Sequence, residues 1–306
     1  MDNLRIGVDV GGTNLRVGAV RNHQVLWEHR HTADFSQICR NNTTPQALEK
    51  IIAELSAAIG QARREFPEIV SVGIGFPGFI DPVSGIVSLS PNLPGLSNID
   101  IARPLAQKLS LPVRIENDAL AAAYGEYLLA EPQPDSLIYL GLGTGVGGGL
   151  ILNRKPYPGQ HGVAMEVGHI IVQPGGRGCG CGNRGCLEQY ASASGVAISY
   201  RQLSNAALDT ERIAVLAGQS DPHAVEAFRI AAEMLAAALA HILKVVDVAH
   251  VVIGGGMCAA WPLLQPHFDE YLEAALIPAL RGRIRVTLAK AGDQAGMLGA
   301  AALAAE

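Results

Sequence analysis

Residues 4–20, Leu4-Arg5-Ile6-Gly7-Val8-Asp9-Val10-Gly11-Gly12-Thr13-Asn14-Leu15-Arg16-Val17-Gly18-Ala19-Val20, decide the fold. Leu4 to Val10 reads as a buried strand, Gly11-Gly12-Thr13 as a tight turn, and Leu15 to Val20 as a second strand. Two apolar runs joined by a glycine turn make a hairpin rather than a strand-to-helix unit. The order returns at mid-chain: strand Leu137 to Leu142, turn Gly143-Thr144-Gly145, strand Val146 to Leu152. A chain that opens twice in this way is expected to hold two similar halves facing each other across a cleft.

Around these hairpins the pattern is α/β. Trp27 to Arg30 supplies a third strand, and Thr44-Pro45 starts a helix, with threonine as N-cap and proline at its first position. Leu48, Ile51, Ile52, Leu55 and Ile59 follow on one face. Ile69 to Phe76 is a buried strand ending at Pro77-Gly78. Ile101 to Leu109 reads as a helix, Val113 to Glu116 as a strand, and Ala119 to Leu129 as a helix. In the second half a helical region runs from Ala191 to Val246, and a strand, Val251 to Ile253, ends in Gly254-Gly255-Gly256. Helix resumes from Met257, and a small-residue helix, Gly296 to Ala305, closes the chain.

A length of 306 residues fits two domains, and 49% hydrophobic residues fill sizeable cores. A net charge of −5 gives no basic face for nucleic acid. Met1-Asp2-Asn3 leads straight into a strand, so no secretory signal is expected, and the Asn41-Asn42-Thr43-Thr44 sequons carry no meaning. No apolar run reaches the ~20 residues of a membrane span. The nearest, Ala231 to Gly255, is broken by Glu233, His241, Lys244, Asp247 and His250. Five cysteines, an odd number in a long chain, argue against a disulfide scaffold and for the cytoplasm.

Three of those cysteines cluster in residues 166–188, Glu-Val-Gly-His-Ile-Ile-Val-Gln-Pro-Gly-Gly-Arg-Gly-Cys-Gly-Cys-Gly-Asn-Arg-Gly-Cys-Leu-Glu. Cys179, Cys181 and Cys186 with one histidine make the ligand set of a closed, tetrahedral structural zinc site. His169 is the first choice as fourth ligand and His161 its rival; a disulfide or three plain thiols are the other readings. Cys39 and Cys258 read as small core residues. Metal binding can fold such a loop outright and set Glu166 and Glu188 in a rigid frame.

Asp9-Val10-Gly11-Gly12-Thr13 and Gly143-Thr144-Gly145 could each wrap phosphate oxygens with backbone N–H groups. Neither matches a Walker A loop or the dinucleotide fingerprint. Asp9 could hold hydrated Mg²⁺. Gly254-Gly255-Gly256 would let an adenine ring lie on backbone, or is a plain strand-to-helix turn. Glu116-Asn117-Asp118 ends a strand, and an aspartate there suits the orientation and deprotonation of an attacking hydroxyl. Equally, Asn117 or Asp118 could cap the following helix.

These pieces, in this order and over nearly the whole chain, resemble the ROK family of sugar kinases and sugar-responsive repressors, within the actin and hexokinase ATPase superfamily. The run His169, Cys179-Gly180-Cys181-Gly182, Gly185-Cys186 and Glu188 is the most specific element. The resemblance implies an α/β fold of two actin-like (ribonuclease H-like) domains with mixed sheets flanking a cleft, plus a zinc-binding loop. The expected division is a small domain over 1–118, completed by a C-terminal helix over 291–306, and a large domain over 119–290 with the zinc loop at 166–188. It further implies ATP, Mg²⁺ and structural Zn²⁺, with Asp118 as catalytic base. Asp9, Gly11, Gly12, Thr13, Gly143, Thr144 and Gly145 would form the phosphate loops, and Gly254, Gly255 and Gly256 would lie near the adenosine. Gly75, Pro77, Asn92, Asn117, Asp118, Glu166, His169 and Glu188 would bind the sugar. His169 would be shared, with one ring nitrogen on zinc and the other on a hydroxyl.

The implied activity is phosphorylation of the 6-hydroxyl of a hexose, glucose by resemblance to glucokinases. Kinases for N-acetylmannosamine, N-acetylglucosamine, allose and fructose share nearly all these motifs, so the sugar stays open. A non-catalytic sugar sensor of the family carries an added N-terminal DNA-binding domain, for which a first phosphate loop at residue 9 leaves no room. A homodimer without nucleic-acid or membrane partners is expected. Two departures stand out: Met165 occupies a position where many family kinases have glycine, and Arg16 has no assigned role.

Overall fold

In the computed structural model, which describes residues 3–305, the opening run pairs as a hairpin. Strands β1 (Arg5–Val10) and β2 (Asn14–Arg21) are antiparallel, with Val8 opposite Val17 and Asp9 opposite Arg16. β3 (Gln24–Thr32) pairs with β2 and alternates between exposed and half-buried residues, as an edge strand covered on one side must. Helix α1 (Phe35–Asn41) is absent from the sequence reading; the Asp34 carboxylate caps it, accepting from Gln37 N–H at 2.7 Å. In α2 (Thr44–Glu65) the cap is Thr43, not Thr44 as read above. The Gln46 side chain accepts from the Thr43 N–H and hydroxyl, which frees the Thr44 hydroxyl to donate to Gly95 O.

β4 (Ser71–Phe76) is buried throughout and parallel to β1. A small antiparallel sheet follows, β5 (Phe79–Ile80), β6 (Val87–Leu89) and β7 (Ser97–Ile99). Then come α3 (Ala102–Leu109), β8 (Val113–Asn117) and α4 (Asp118–Leu128). The first sheet runs β3-β2-β1-β4-β8. Ile6, Val8, Val72 and Ile74 of that sheet share one buried cluster with Ile51, Leu55 and Ile59 of α2.

The second half repeats the plan with β9 (Leu137–Leu142), β10 (Val146–Leu152) and β11 (Lys155–Pro156). Four helices follow: α5 (Glu188–Ala191), α6 (Ala193–Ser204), α7 (Thr210–Gly218) and α8 (Pro222–Val246). β12 (His250–Gly254), α9 (Trp261–Ala275), β13 (Arg285–Leu288) and α10 (Ala295–Leu303) complete the chain. The second sheet runs β11-β10-β9-β12-β13, with β12 parallel to both neighbours. Both five-stranded sheets are mixed. Among the described residues, no helix is long and apolar enough to cross a membrane.

Two compact units emerge. One takes in the chain up to Asp135, Gly149–Ala164 and everything from Lys290 onward; the other takes in Ser136–Gly148 and Met165–Ala289. The sequence reading divides the chain after residue 118 instead.

In the first unit α10 lies backbone to backbone on its neighbours, because glycines remove the intervening side chains. A Cβ on Gly7 or Gly73 would land on the Met297 or Ala300 carbonyl, and one on Gly299 would land on the Ala121 carbonyl. Buried Glu126 of α4 secures the approach to α10 by accepting from the Lys290 and Ala291 N–H groups at 2.8 and 2.9 Å.

Candidate functional site

The first unit carries Asp9 at the end of β1, where burial pushes its carboxyl up to about 6 against the opposing field of Arg16, with Asp293 adding to the rise. Gly296 leaves the space Asp9 needs: a Cβ there would stand 2.8 Å from the carboxyl carbon. Arg16, cross-strand from Asp9, donates to the Asp293 carbonyl at 2.7 Å and carboxylate at 2.6 Å. It therefore ties the approach to α10 to β2, the antiparallel partner of the strand that bears Asp9. The adjoining turn is closed by Gly11 N–H on Asn14 O at 2.9 Å, and Thr13 Oγ1 accepts from Asn14 at 3.1 Å. A Cβ on Gly12 would meet nothing within 4 Å, so this turn presents open backbone.

At the β8–α4 junction the capping question resolves by geometry. The Asn117 side-chain oxygen accepts from Leu120 N–H at 3.0 Å, and its amide donates to Gly78 O at 3.0 Å. Asn117 is the cap, and Asp118 opens the helix, its Oδ1 accepting from Ala119 N–H at 2.9 Å. An anion is favoured at that end of the helix. Glu116 is buried, which pushes its carboxyl up, while the Asn117 N–H bonded to it at 3.0 Å and Arg114 work the other way. Gly75 packs against this junction: a Cβ there would sit 3.5 Å from Asp118 Cα, an ordinary van der Waals contact. The Pro77 carbonyl accepts from buried Ser90 at 2.5 Å, and Asn92 lies exposed in the turn that follows.

The second unit gathers His169, Cys179, Cys181 and Cys186, one ligand atom from each lying within 4.8 Å of the others. Cys179 Sγ stands 3.7 Å from His169 Nδ1, and Cys181 Sγ stands 3.6 Å from Cys186 Sγ. Zn–S bonds of ~2.3 Å place tetrahedral ligands ~3.8 Å apart, so the residues fit zinc. Burial, then the neighbouring thiols, pushes the Cys186 thiol up to about 12, a tension that a divalent cation relieves. None of the five cysteines forms a disulfide. His161 lies exposed outside the cluster, its field falling on Asp81. Cys39 is core, as read; Cys258 is only half-buried.

His169 turns its other ring nitrogen, Nε2, to Glu166 Oε2 at 3.8 Å. Burial pushes the Glu166 carboxyl up, with His169 lowering it and Glu188 raising it. Glu188 opens α5, and its Oε2 fills the place a side chain on Gly145 would take. Ala193 N–H donates to Gly143 O at 2.9 Å, tying the start of α6 to the Gly143–Gly145 turn, where Thr144 is exposed. Gly254 is glycine for a local reason: a Cβ there would stand 2.5 Å from a Tyr139 ring carbon. Gly255 holds φ +85° against the Leu142 backbone, and only Gly256 of the three faces open space. Met165 holds φ +63°, the left-handed region that explains why glycine suits this position.

A sequence model of the ROK family matches residues 5–306, and the chain belongs to that family. It is 34% identical to a glucokinase of Streptomyces coelicolor over 323 residues, covering 99% of this chain and 98% of that protein. It is likewise 34% identical over 319 residues to an N-acetyl-D-glucosamine kinase of Pasteurella multocida, covering 98% and 99%. Among solved structures, a ROK family glucokinase from Streptomyces griseus in complex with glucose and AMPPNP superposes with a TM-score of 0.82 at 33% identity, covering 99% of each chain.

Proposed function

We propose that this chain is an ATP-dependent sugar kinase that moves the γ-phosphoryl of ATP to the 6-hydroxyl of glucose. The observation that carries the reading is the division of labour at the β8–α4 junction. Asn117 performs the cap, so the Asp118 carboxylate stands at the helix start without the capping duty. In the first unit Asp118 accepts the hydroxyl proton as the oxygen attacks, and Gly75, Pro77, Asn92 and Asn117 belong to the sugar side. Gly11, Gly12 and Thr13 serve the phosphates there. In the second unit Glu166, His169 and Glu188 bind sugar hydroxyls, Gly143, Thr144 and Gly145 serve phosphates, and Gly254, Gly255 and Gly256 lie by the adenosine.

Asp9 would hold hydrated Mg²⁺, whose charge neutralises phosphate oxygens when bound. A carboxylate that burial makes reluctant to ionise fits that task, since a cation restores its charge. His169, Cys179, Cys181 and Cys186 would hold zinc, which would enter no step and would fix the loop that carries His169 and leads into Glu188.

Glucose is proposed on the similarity to glucokinases. The equal identity to an N-acetylglucosamine kinase supports a second reading that keeps the chemistry and changes the sugar. An assay of ADP release with Mg-ATP across glucose, fructose, allose, N-acetylglucosamine and N-acetylmannosamine separates them by kcat/KM. Glucose as the best substrate is the expected result. No turnover with any sugar, in zinc-loaded protein that binds ATP, would leave a sugar sensor as the reading.

A further inference from the structure

Two residues before the first cysteine ligand, Arg177 makes more contacts than a loop arginine needs. One terminal nitrogen donates to the Gln189 carbonyl at 2.6 Å and the Gly195 carbonyl at 3.2 Å. The other donates to Ser199 Oγ at 3.0 Å and Gln202 Oε1 at 2.7 Å. The guanidinium carbon lies 4.4 Å over the Tyr190 ring, within cation–π range, while the Arg177 N–H donates to the Tyr190 hydroxyl at 3.0 Å. One side chain thus joins the metal loop to α5 through Gln189 and Tyr190, and to α6 through Gly195, Ser199 and Gln202. The planar fork of arginine can serve both helices at once, which a lysine ammonium cannot.

The helix so held is α5, only four residues long and opened by Glu188. A helix of that length has no stability of its own, so its position comes from what grips it. Cys186 grips it from the metal side, two residues before Glu188. Ser192 grips its end, donating to Glu188 O at 2.7 Å. Arg177 is the third hold, and it ties the stretch just before Cys179 to the helix.

We propose that Arg177 is a positioning residue that fastens the metal loop to α5, setting both how firmly the cluster keeps zinc and where the Glu188 carboxylate stands. The second limb rests on the sugar-binding reading of Glu188; the first does not. Partners around metal ligands change metal affinity by about 10–100-fold when removed. In the zinc-loaded full-length protein, Arg177→Met is expected to release zinc to a chromogenic chelator about 10-fold faster than wild type. The KM for the sugar should rise several-fold, with kcat changed less than about 3-fold. Arg177→Lys should recover only part of either effect. Arg201→Met, at an exposed α6 position, should behave as wild type. If Arg177→Met fails to fold, the Ser199→Ala/Gln202→Leu pair removes one half of the fork and takes the same measurements. Wild-type zinc release in the folded variant would overturn the first limb, and an unchanged KM beside faster zinc release would overturn the second. A protein that phosphorylates no sugar sinks the functional proposal, while zinc release still tests the fastening.

Discussion

Gly7→Ala probes the packing that sets α10 against β1, the strand bearing Asp9. The new methyl would lie 2.7 Å from the Met297 carbonyl carbon and 3.1 Å from its Cα. Carbon atoms are comfortable at ~3.5–4.0 Å, so α10 must retreat by at least about 0.8 Å to clear the carbonyl carbon, and farther to clear the carbonyl oxygen, which lies nearer still. It has nowhere to go: on the side of α4, a Cβ on Gly125 would already stand 2.9 Å from the Ala295 carbonyl carbon, and Gly299 lies as close to Ala121. Overpacking of a fixed contact costs about 1–3 kcal/mol, and a backbone collision belongs at the upper end. At ~2–4 °C per kcal/mol, the melting temperature by circular dichroism should fall by about 6–12 °C. Gly60→Ala is the opposite case. It lies inside α2 with only the tip of Arg64 4.0 Å away, so removing a mid-helix glycine should raise stability by up to ~1 kcal/mol. An unchanged melting temperature for Gly7→Ala would refute the seating of α10.

Met165→Gly should be tolerated, whereas Met165→Val should cost at least ~1 kcal/mol, because a β-branched residue resists φ near +63°; equal melting temperatures for the two would contradict the assigned backbone. Asp9 binds its proton more tightly folded, at about 6, than unfolded, at 3.8, so its contribution to stability is full below pH 3.8 and gone once the pH has risen through 6. In nucleotide-free protein Asp9→Asn should therefore raise the melting temperature at pH 8 but not at pH 3.5, and an equal gain at both pH values would reject the buried-charge account; with Mg-ATP and sugar added at pH 8, the same substitution should abolish turnover. Metal analysis should find one zinc per chain. Cys186→Ser should lose it together with thermal stability, whereas full zinc retention would remove that ligand from the set.

The hairpin at 4–20 was legible because glycine turns and buried runs are local signals, and the cluster of His169, Cys179, Cys181 and Cys186 because its residues lie close together in the sequence. The cap of α2 was misplaced by one residue since Thr43 and Thr44 are both acceptable caps, and only tertiary structure separates them: Thr43 pairs with Gln46 while Thr44 donates to Gly95. β5 to β7 escaped because two or three residues cannot show a period. β13, Arg285–Leu288, escaped because it is a mostly exposed edge strand with no apolar run. At the site, Asn117 and Asp118 are equal candidates for the cap in sequence, and the bond from Leu120 N–H to the Asn117 side-chain oxygen decides between them. Arg16 stayed unassigned because its partner lies 277 residues away. Gly254 and Gly255 carry local packing duties that a glycine run does not reveal in sequence.

The most direct test of the central claim compares wild-type protein with Asp118→Asn, using Mg-ATP and glucose, with the phosphorylated position read by ³¹P NMR. The account predicts glucose 6-phosphate from wild type, a kcat lower by about 10²–10⁴-fold in the variant, and an unchanged melting temperature and zinc content. A folded, zinc-loaded Asp118→Asn that turns over at the wild-type rate would contradict it.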